Sequence, residues 1–306
     1  MSLHVVIKGA TGFIGSAIAR EFVAAGVRVT MLIRSSSQLG RVAKLAPKTL
    51  VNVDGLSLEE LVEHLSAESP NIFVHCGWRG VEGRDRNQAF QISDNLSMTL
   101  DSVDLAAQIG CKQWIGFGSQ AEYGNQNRRL DEAAPLAPTT LYGKAKLAAG
   151  VASLALCEAK GMAGAWVRVF STYGPGDGPN WFIPYVTQEF LAGRQPKLTK
   201  CEQFWDYLFV EDAARAVCAL ADQSSAGVFN LGSGVARPLR AFVEAIRAEL
   251  ATDLAPVYGA IAYRPDQVMH LEADISLLTA TTGWRPETTL VDGIKRTVAF
   301  EKTRGN

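Results

Sequence analysis

Three observations predict an α/β chain: a Rossmann-like, doubly wound parallel sheet with a smaller, mostly helical C-terminal cap. Apolar, β-rich runs alternate with longer segments of helical period. A glycine-rich turn joins the first run to the first helix, and after Phe170 the texture changes as glycine and proline cluster. Strands are expected at residues 4–8, 27–33, 49–53, 71–75, 113–118 and 165–170. Several are apolar at consecutive positions, as when both faces of a parallel strand are covered. Helices are expected near 13–25, 58–65, 95–109 and 141–160. The βαβαβ alternation calls for right-handed crossovers.

Residues 171–180 hold three glycines and two prolines and read as a loop. Beyond it come an apolar helix at 182–193, a strand-like 207–210, a helix from Glu211, a strand at 228–231 and two or three final helices. The expected division is a dinucleotide-binding domain, 1–172, and a cap, 173–306, with segments near 207–233 returning to the main sheet. Too little chain remains at the end for an independent sheet of any size.

Composition narrows the classes. With 47% hydrophobic residues the chain has enough apolar surface to fold, which excludes a mainly disordered protein. Lys and Arg number 30 against 31 for Asp and Glu, so the basic excess of a nucleic-acid binder is missing. The longest apolar stretch, 147–157, is too short to span a bilayer, and no signal peptide is expected. Five widely spaced cysteines without a C-x-x-C pair suggest neither disulfides nor zinc, and four histidines show no metal-ligand spacing. A soluble, cytoplasmic, metal-free protein is expected.

Gly9-Ala10-Thr11-Gly12-Phe13-Ile14-Gly15 follows the first strand and opens the first helix. A helix N-terminus offers unpaired N–H groups and partial positive charge, which suit a pyrophosphate; glycines permit the tight turn and close backbone approach. At the tip of the second strand an acid would bind the ribose 2′-OH of NAD, and an arginine would suit the 2′-phosphate of NADP. Arg34 and Ser35 stand there, with no acid. NADP(H) is therefore preferred and NAD(H) possible, the bland alternative being a solvated arginine. Asp54, after the third strand, either touches the adenine or is a plain turn aspartate.

Tyr142 and Lys146 are four apart at the start of a helix and share one face. A phenol titrates near ~10, and a neighbouring ammonium is expected to lower it toward useful proton transfer. The same ammonium can hold ribose hydroxyls. Ser119 leaves the carboxyl end of a central strand, where open α/β sheets place ligands, and can hydrogen-bond a reacting carbonyl.

These pieces resemble, over nearly the whole chain, the extended short-chain dehydrogenase/reductases, or NAD-dependent epimerase/dehydratase family. The matching motifs are the turn at Gly9, Gly12 and Gly15; Val74-His75-Cys76-Gly77; Asn95; Ser119 ahead of Tyr123-Gly124; Tyr142 with Lys146; Arg168-Val169-Phe170-Ser171; Phe229-Asn230-Leu231-Gly232; and Arg264-Pro265-Asp266. The resemblance implies hydride chemistry on nucleotide sugars by Ser119, Tyr142 and Lys146. It also implies a cofactor site lined by Thr11, Phe13, Ile14, Cys76, Gly77 and Phe170, beside the turn and second-strand residues.

Departures refine the expectation. Family 4,6-dehydratases carry Asp-Glu where this chain has Gln120 and Ala121. Many members have arginine where Trp205 stands, and Ser171 replaces a frequent Asn. The segment 179–185, with Asn180 and Phe182, matches the substrate loop, and Arg264 remains a candidate diphosphate clamp. The cap resembles that of the CDP-abequose synthase type of 4-ketoreductase. Trp78 either lines the cleft or sits in a solvated loop. Cys76 and His75 read as packing residues. The expected activity is NADPH-dependent reduction of a nucleotide-activated 4-keto-deoxysugar. The alternatives are an NAD(P)-retaining epimerase and a non-catalytic NAD(P)-binding sensor. A homodimer is expected, with no membrane or nucleic-acid partner.

Overall fold

The computed structural model of the chain describes residues 3–46 and 48–304. The first part runs β1 (His4–Lys8), α1 (Phe13–Ala24), β2 (Arg28–Ile33), β3 (Thr49–Asn52), α2 (Leu58–Ser66), β4 (Ile72–His75), α3 (Phe90–Ser93), α4 (Asn95–Gln108), β5 (Gln113–Ser119), β6 (Arg128–Leu130), α5 (Leu141–Ala159) and β7 (Ala163–Val169). The second part runs β8 (Thr172–Tyr173), α6 (Phe182–Leu191), β9 (Phe204–Trp205), β10 (Leu208–Phe209), α7 (Val210–Asp222), β11 (Gly227–Leu231), β12 (Arg237–Pro238), α8 (Leu239–Leu250), β13 (His270–Ala273), α9 (Ser276–Thr282) and α10 (Leu290–Arg304).

Seven parallel strands form the main sheet in the order β11-β7-β5-β4-β1-β2-β3. Consecutive apolar residues explain why it is covered on both sides. Val5, Ile7 and Met31 pack with Ile18 and Phe22 of α1 and Val217 and Leu220 of α7. Val6, Phe73, Trp114 and Trp166 face the other way, with Val103 and Ala106 of α4 and Ala149 of α5. Each fully buried side chain of this size contributes roughly 1.5–3 kcal/mol. The strand order reverses between β1 and β4, so a crevice opens beyond their carboxyl ends.

The C-terminal part differs from its expected form. The strand-like 207–210 is only two residues long; it pairs with β8 in a parallel ribbon apart from the main sheet. Phe209 turns instead into a separate core with Tyr173, Ile183, Phe190, Phe242 and Val298. From the stretch 207–233, α7 covers the α1 side and β11 extends the main sheet. A four-stranded sheet, β12-β9-β13-β6, joins the two parts of the chain. Its strands of two to four residues are too short to show an alternation in sequence. No helix among the described residues is long and apolar enough to cross a membrane.

Candidate active site

Gly9 turns the chain with φ +87°, and a Cβ there would lie 2.8 Å from Cys76 C and Gly77 N, at the end of β4. A Cβ on Gly15 would run into the Gly9 carbonyl. Gly12 N–H donates to Gly9 O (3.1 Å), and the first helical bond is Ser16 N–H to Gly12 O (2.9 Å). The N–H groups of Phe13, Ile14 and Gly15 therefore lack intrahelical acceptors. Gly12 supplies no side-chain cap and the first turn holds no acid, so this end of α1 fits an anion such as a dinucleotide pyrophosphate. Sequence reading missed Arg41. It donates to Thr11 O (3.2 Å) and, by Nε and Nη2, to Gly176 O (3.0 and 2.8 Å), so it ties the turn to the start of the C-terminal part.

Beyond β2, Arg34 is exposed. Ser35 N–H donates to Asp54 Oδ2 (2.7 Å), and Asn52 donates to Ser35 Oγ (3.0 Å). The Ser35 bonds hold the Asp54 carboxyl below its ordinary range. Arg34, Ser35 and Asp54 thus share one edge, and the arginine has no ion-pair partner among the described residues.

Ser119 ends β5; Tyr142 and Lys146 face it from the first turns of α5, whose start is capped by Thr140 Oγ1 on Gly143 N–H (3.1 Å). All three are buried. Burial and the Glu122 charge push the Tyr142 phenol up, while the neighbouring Ser119 hydroxyl and the Arg86 charge pull it down. The lowering expected from Lys146 is not among these influences: its ammonium sits 6.0 Å from the ring centroid and donates to Phe117 O (2.7 Å). Burial brings Lys146 itself down to about 7, against the raising influence of Glu122 and Cys76.

Glu122 is a buried carboxylate beside Ser119 that the sequence reading did not single out. Fully buried, it accepts Ser119 N–H and Trp166 Nε1 on Oε1 (2.8 and 3.0 Å) and Arg168 Nε on Oε2 (2.8 Å). Arg168 also donates to Tyr123 Oη (3.0 Å), which donates to Asn230 Oδ1 (2.6 Å). The signal for Glu122 would have been a glutamate between Ala121 and Tyr123 in the turn that follows Ser119, with an arginine on the strand beside β5.

The other nominated residues divide. Cys76 and Gly77 lie against the glycine turn, and burial raises the Cys76 thiol to about 12, away from nucleophilic use. His75 is buried, stacks on Trp114 (6.2 Å) and is held neutral by burial beside Lys8 and Lys146. Phe170 is buried against Tyr123, and half-buried Gln120 follows Ser119. Trp205 Nε1 donates to Ser171 Oγ (2.8 Å), so those two meet. Phe182 packs at the edge of the C-terminal core, whereas Asn180 and Arg264 are exposed.

The geometry is that of a dinucleotide turn facing a Ser-Tyr-Lys group across the carboxyl edge of a parallel sheet. The profile of the NAD dependent epimerase/dehydratase family matches residues 5–232. The chain belongs to this family. It is an extended short-chain dehydrogenase/reductase, an NAD(P)-dependent oxidoreductase or epimerase, as the motif resemblance implied. A family relative, the dTDP-6-deoxy-L-talose 4-dehydrogenase (NAD(P)(+)) of Kitasatospora kifunensis, is 26% identical over 98% of this chain and 96% of its own length. The CDP-abequose synthase of Salmonella typhimurium is 25% identical over 95% of this chain and 96% of its own. Among solved structures, a UDP-N-acetylglucosamine 4-epimerase from Methanobrevibacter ruminantium superimposes with a TM-score of 0.88 at 22% identity, covering 99% of each chain. That likeness extends the family fold over the C-terminal part as well.

Proposed function

We propose that this chain uses NADPH to reduce a nucleotide-activated 4-keto-deoxysugar to the 4-hydroxy sugar. One observation carries the reading. Ser119, Tyr142 and Lys146 converge at the sheet edge, and the carboxylate beside them, Glu122, is locked to Arg168. A site with a proton donor but no free carboxylate suits proton delivery to an oxygen better than removal of a carbon-bound proton.

The N–H groups that open α1 would take the pyrophosphate, and Arg34 with Ser35 would take a 2′-phosphate through charge-assisted bonds. Asp54 stands ready for the adenine end. A bound reduced nicotinamide supplies the hydride. Tyr142 gives its phenolic proton to the developing alkoxide, and Ser119 donates a hydrogen bond to the same oxygen. Ser119 and Arg86 favour the resulting phenolate, and Lys146, protonated, would turn its remaining N–H to a ribose hydroxyl. Residues 1–172 serve the cofactor and 173–306 the sugar nucleotide. Gln120, Ser171 and Trp205 line the cleft, Asn180 and Phe182 the loop above it, and Arg264 reaches for the diphosphate. The stripe of Leu147, Val151 and Leu154 on α5 is the face we assign to a homodimer.

The same three side chains also suit an NAD(P)-retaining 4-epimerase, because oxidation and re-reduction at one carbon need no additional acid. A panel of sugar nucleotides and their 4-keto derivatives, mixed with the enzyme and NADPH or NADH, separates the readings. Loss of reduced-nicotinamide absorbance with a keto sugar is expected. An isomerised sugar with unchanged cofactor would replace the reductase with the epimerase.

A further inference from the structure

Trp78 stands three residues past the end of β4, and its indole lies against the proton-transfer pair. Lys146 Nζ is 3.5 Å from its ring centroid, and the Tyr142 ring meets it edge-on at 6.1 Å and 87°. With Phe117 O taking another Lys146 proton (2.7 Å), two of the three ammonium directions are occupied and one is left for a ligand.

The ring is held there by two fully buried amides. Gln91 Oε1 accepts from Trp78 Nε1 (2.9 Å) and Asn95 Nδ2 (3.1 Å), and Gln91 Nε2 donates to Gly80 O (2.5 Å) and Asp85 O (3.1 Å). Asn95 Oδ1 accepts Arg79 N–H (2.8 Å) and its Nδ2 donates to Arg79 O (2.9 Å). Both amides thus spend their polar atoms on the loop that carries Trp78 or on each other. The same loop docks on α5 through Tyr142 N–H to Arg86 O (2.7 Å) and Leu141 N–H to Asn87 Oδ1 (3.0 Å). Burying that many polar groups is tolerable only when all are paired, and the pairing leaves the indole one pose.

We propose that Trp78 is a positioning residue whose indole face caps the Lys146 ammonium, keeping it charged in a dry site and aimed along the helix face it shares with Tyr142. The proposal rests on the reading of Tyr142 and Lys146 as the proton-transfer pair. An aromatic face attracts a cation through its quadrupole, most strongly when water is excluded, and so opposes the burial that drives the ammonium toward neutrality. The other groups facing Lys146 are fixed: Glu122 after β5, neutral His75 at the end of β4 (with Lys8 of β1 beside it) and Cys76 just past it, Tyr142 on its own helix, and the Trp166 ring of β7 at 5.9 Å.

The test titrates Lys146 in the protein without cofactor or substrate, by NMR of 13Cε-labelled lysine, with the signal assigned by K146R. W78F keeps an aromatic ceiling; W78L and W78M keep an apolar ceiling without the quadrupole, and either serves if the other does not fold. We expect W78F to titrate with the wild type, and the aliphatic variants about one pH unit lower. The descending limb of kcat/KM against pH should follow the same order. Aliphatic and aromatic variants titrating alike would overturn the proposal. A shifted titration with an unmoved kcat/KM profile would leave the cap standing and reject the catalytic reading of Lys146.

Discussion

Tyr142 illustrates what one side chain must balance, since burial opposes its phenolate while Ser119 and Arg86 favour it. The proposed mechanism makes it the proton donor, so Y142F should lower kcat by about 10²–10⁴-fold while the melting temperature stays close to wild type. In the proposed NADPH complex, Arg34 would make a charge-assisted contact to the 2′-phosphate, which NADH lacks. R34A should raise the KM for NADPH about tenfold and leave that for NADH nearly unchanged, read by initial rates with both cofactors. Asp177 tests the electrostatics away from the chemistry. Burial raises its pKa to about 7, opposed by Gly178 N–H and Arg41. The folded protein then keeps a proton that the unfolded chain releases near ~4, so this contribution to stability is present at low pH and lost as pH rises through about 7. In urea melts D177N should match the wild type near pH 4 and exceed it near pH 8. Ser119, Tyr142 and Lys146 were legible because a spacing of four shares a helix face and a serine ends a central strand. Glu122 and Arg41 were not, because their partners Arg168 and Gly176 lie 46 and 135 residues away.

Secondary-structure elements succeed or fail by how they approach one another. Helix α5 lies so close to the turn after β5 that a Cβ on Gly143 would collide with the Ala121 carbonyl and come within 3.0 Å of Pro138 Cβ. G143A should therefore push Tyr142 away from Ser119. We expect a destabilisation of about 1–3 kcal/mol by chemical denaturation, together with a kcat loss larger than the stability change explains. Long elements were readable for a simple reason. Strands β1, β4 and β5 are apolar at successive positions, and α5 runs for 19 residues. The ribbon of β8 and β10 and the strands β9 and β12 are two residues each, and their pairing is set by tertiary neighbours rather than by a local pattern.

Across the whole molecule, the main sheet brings the glycine turn of α1 and the Ser-Tyr-Lys group to one carboxyl edge, while Arg41 and the small β6-containing sheet tie the C-terminal part over it. The sequence carried the layout of the sheet and the place of its crevice. The contacts across the two parts, such as Trp205 with Ser171, emerge only in the folded chain. Transfer of deuterium from the reduced nicotinamide is the most direct measure of what that arrangement does. With NADPH deuterated at C4 and a 4-keto-6-deoxysugar nucleotide, the account predicts one deuterium at C4 of the sugar for each NADP formed. A product without deuterium, alongside a cofactor that returns unchanged, would contradict it.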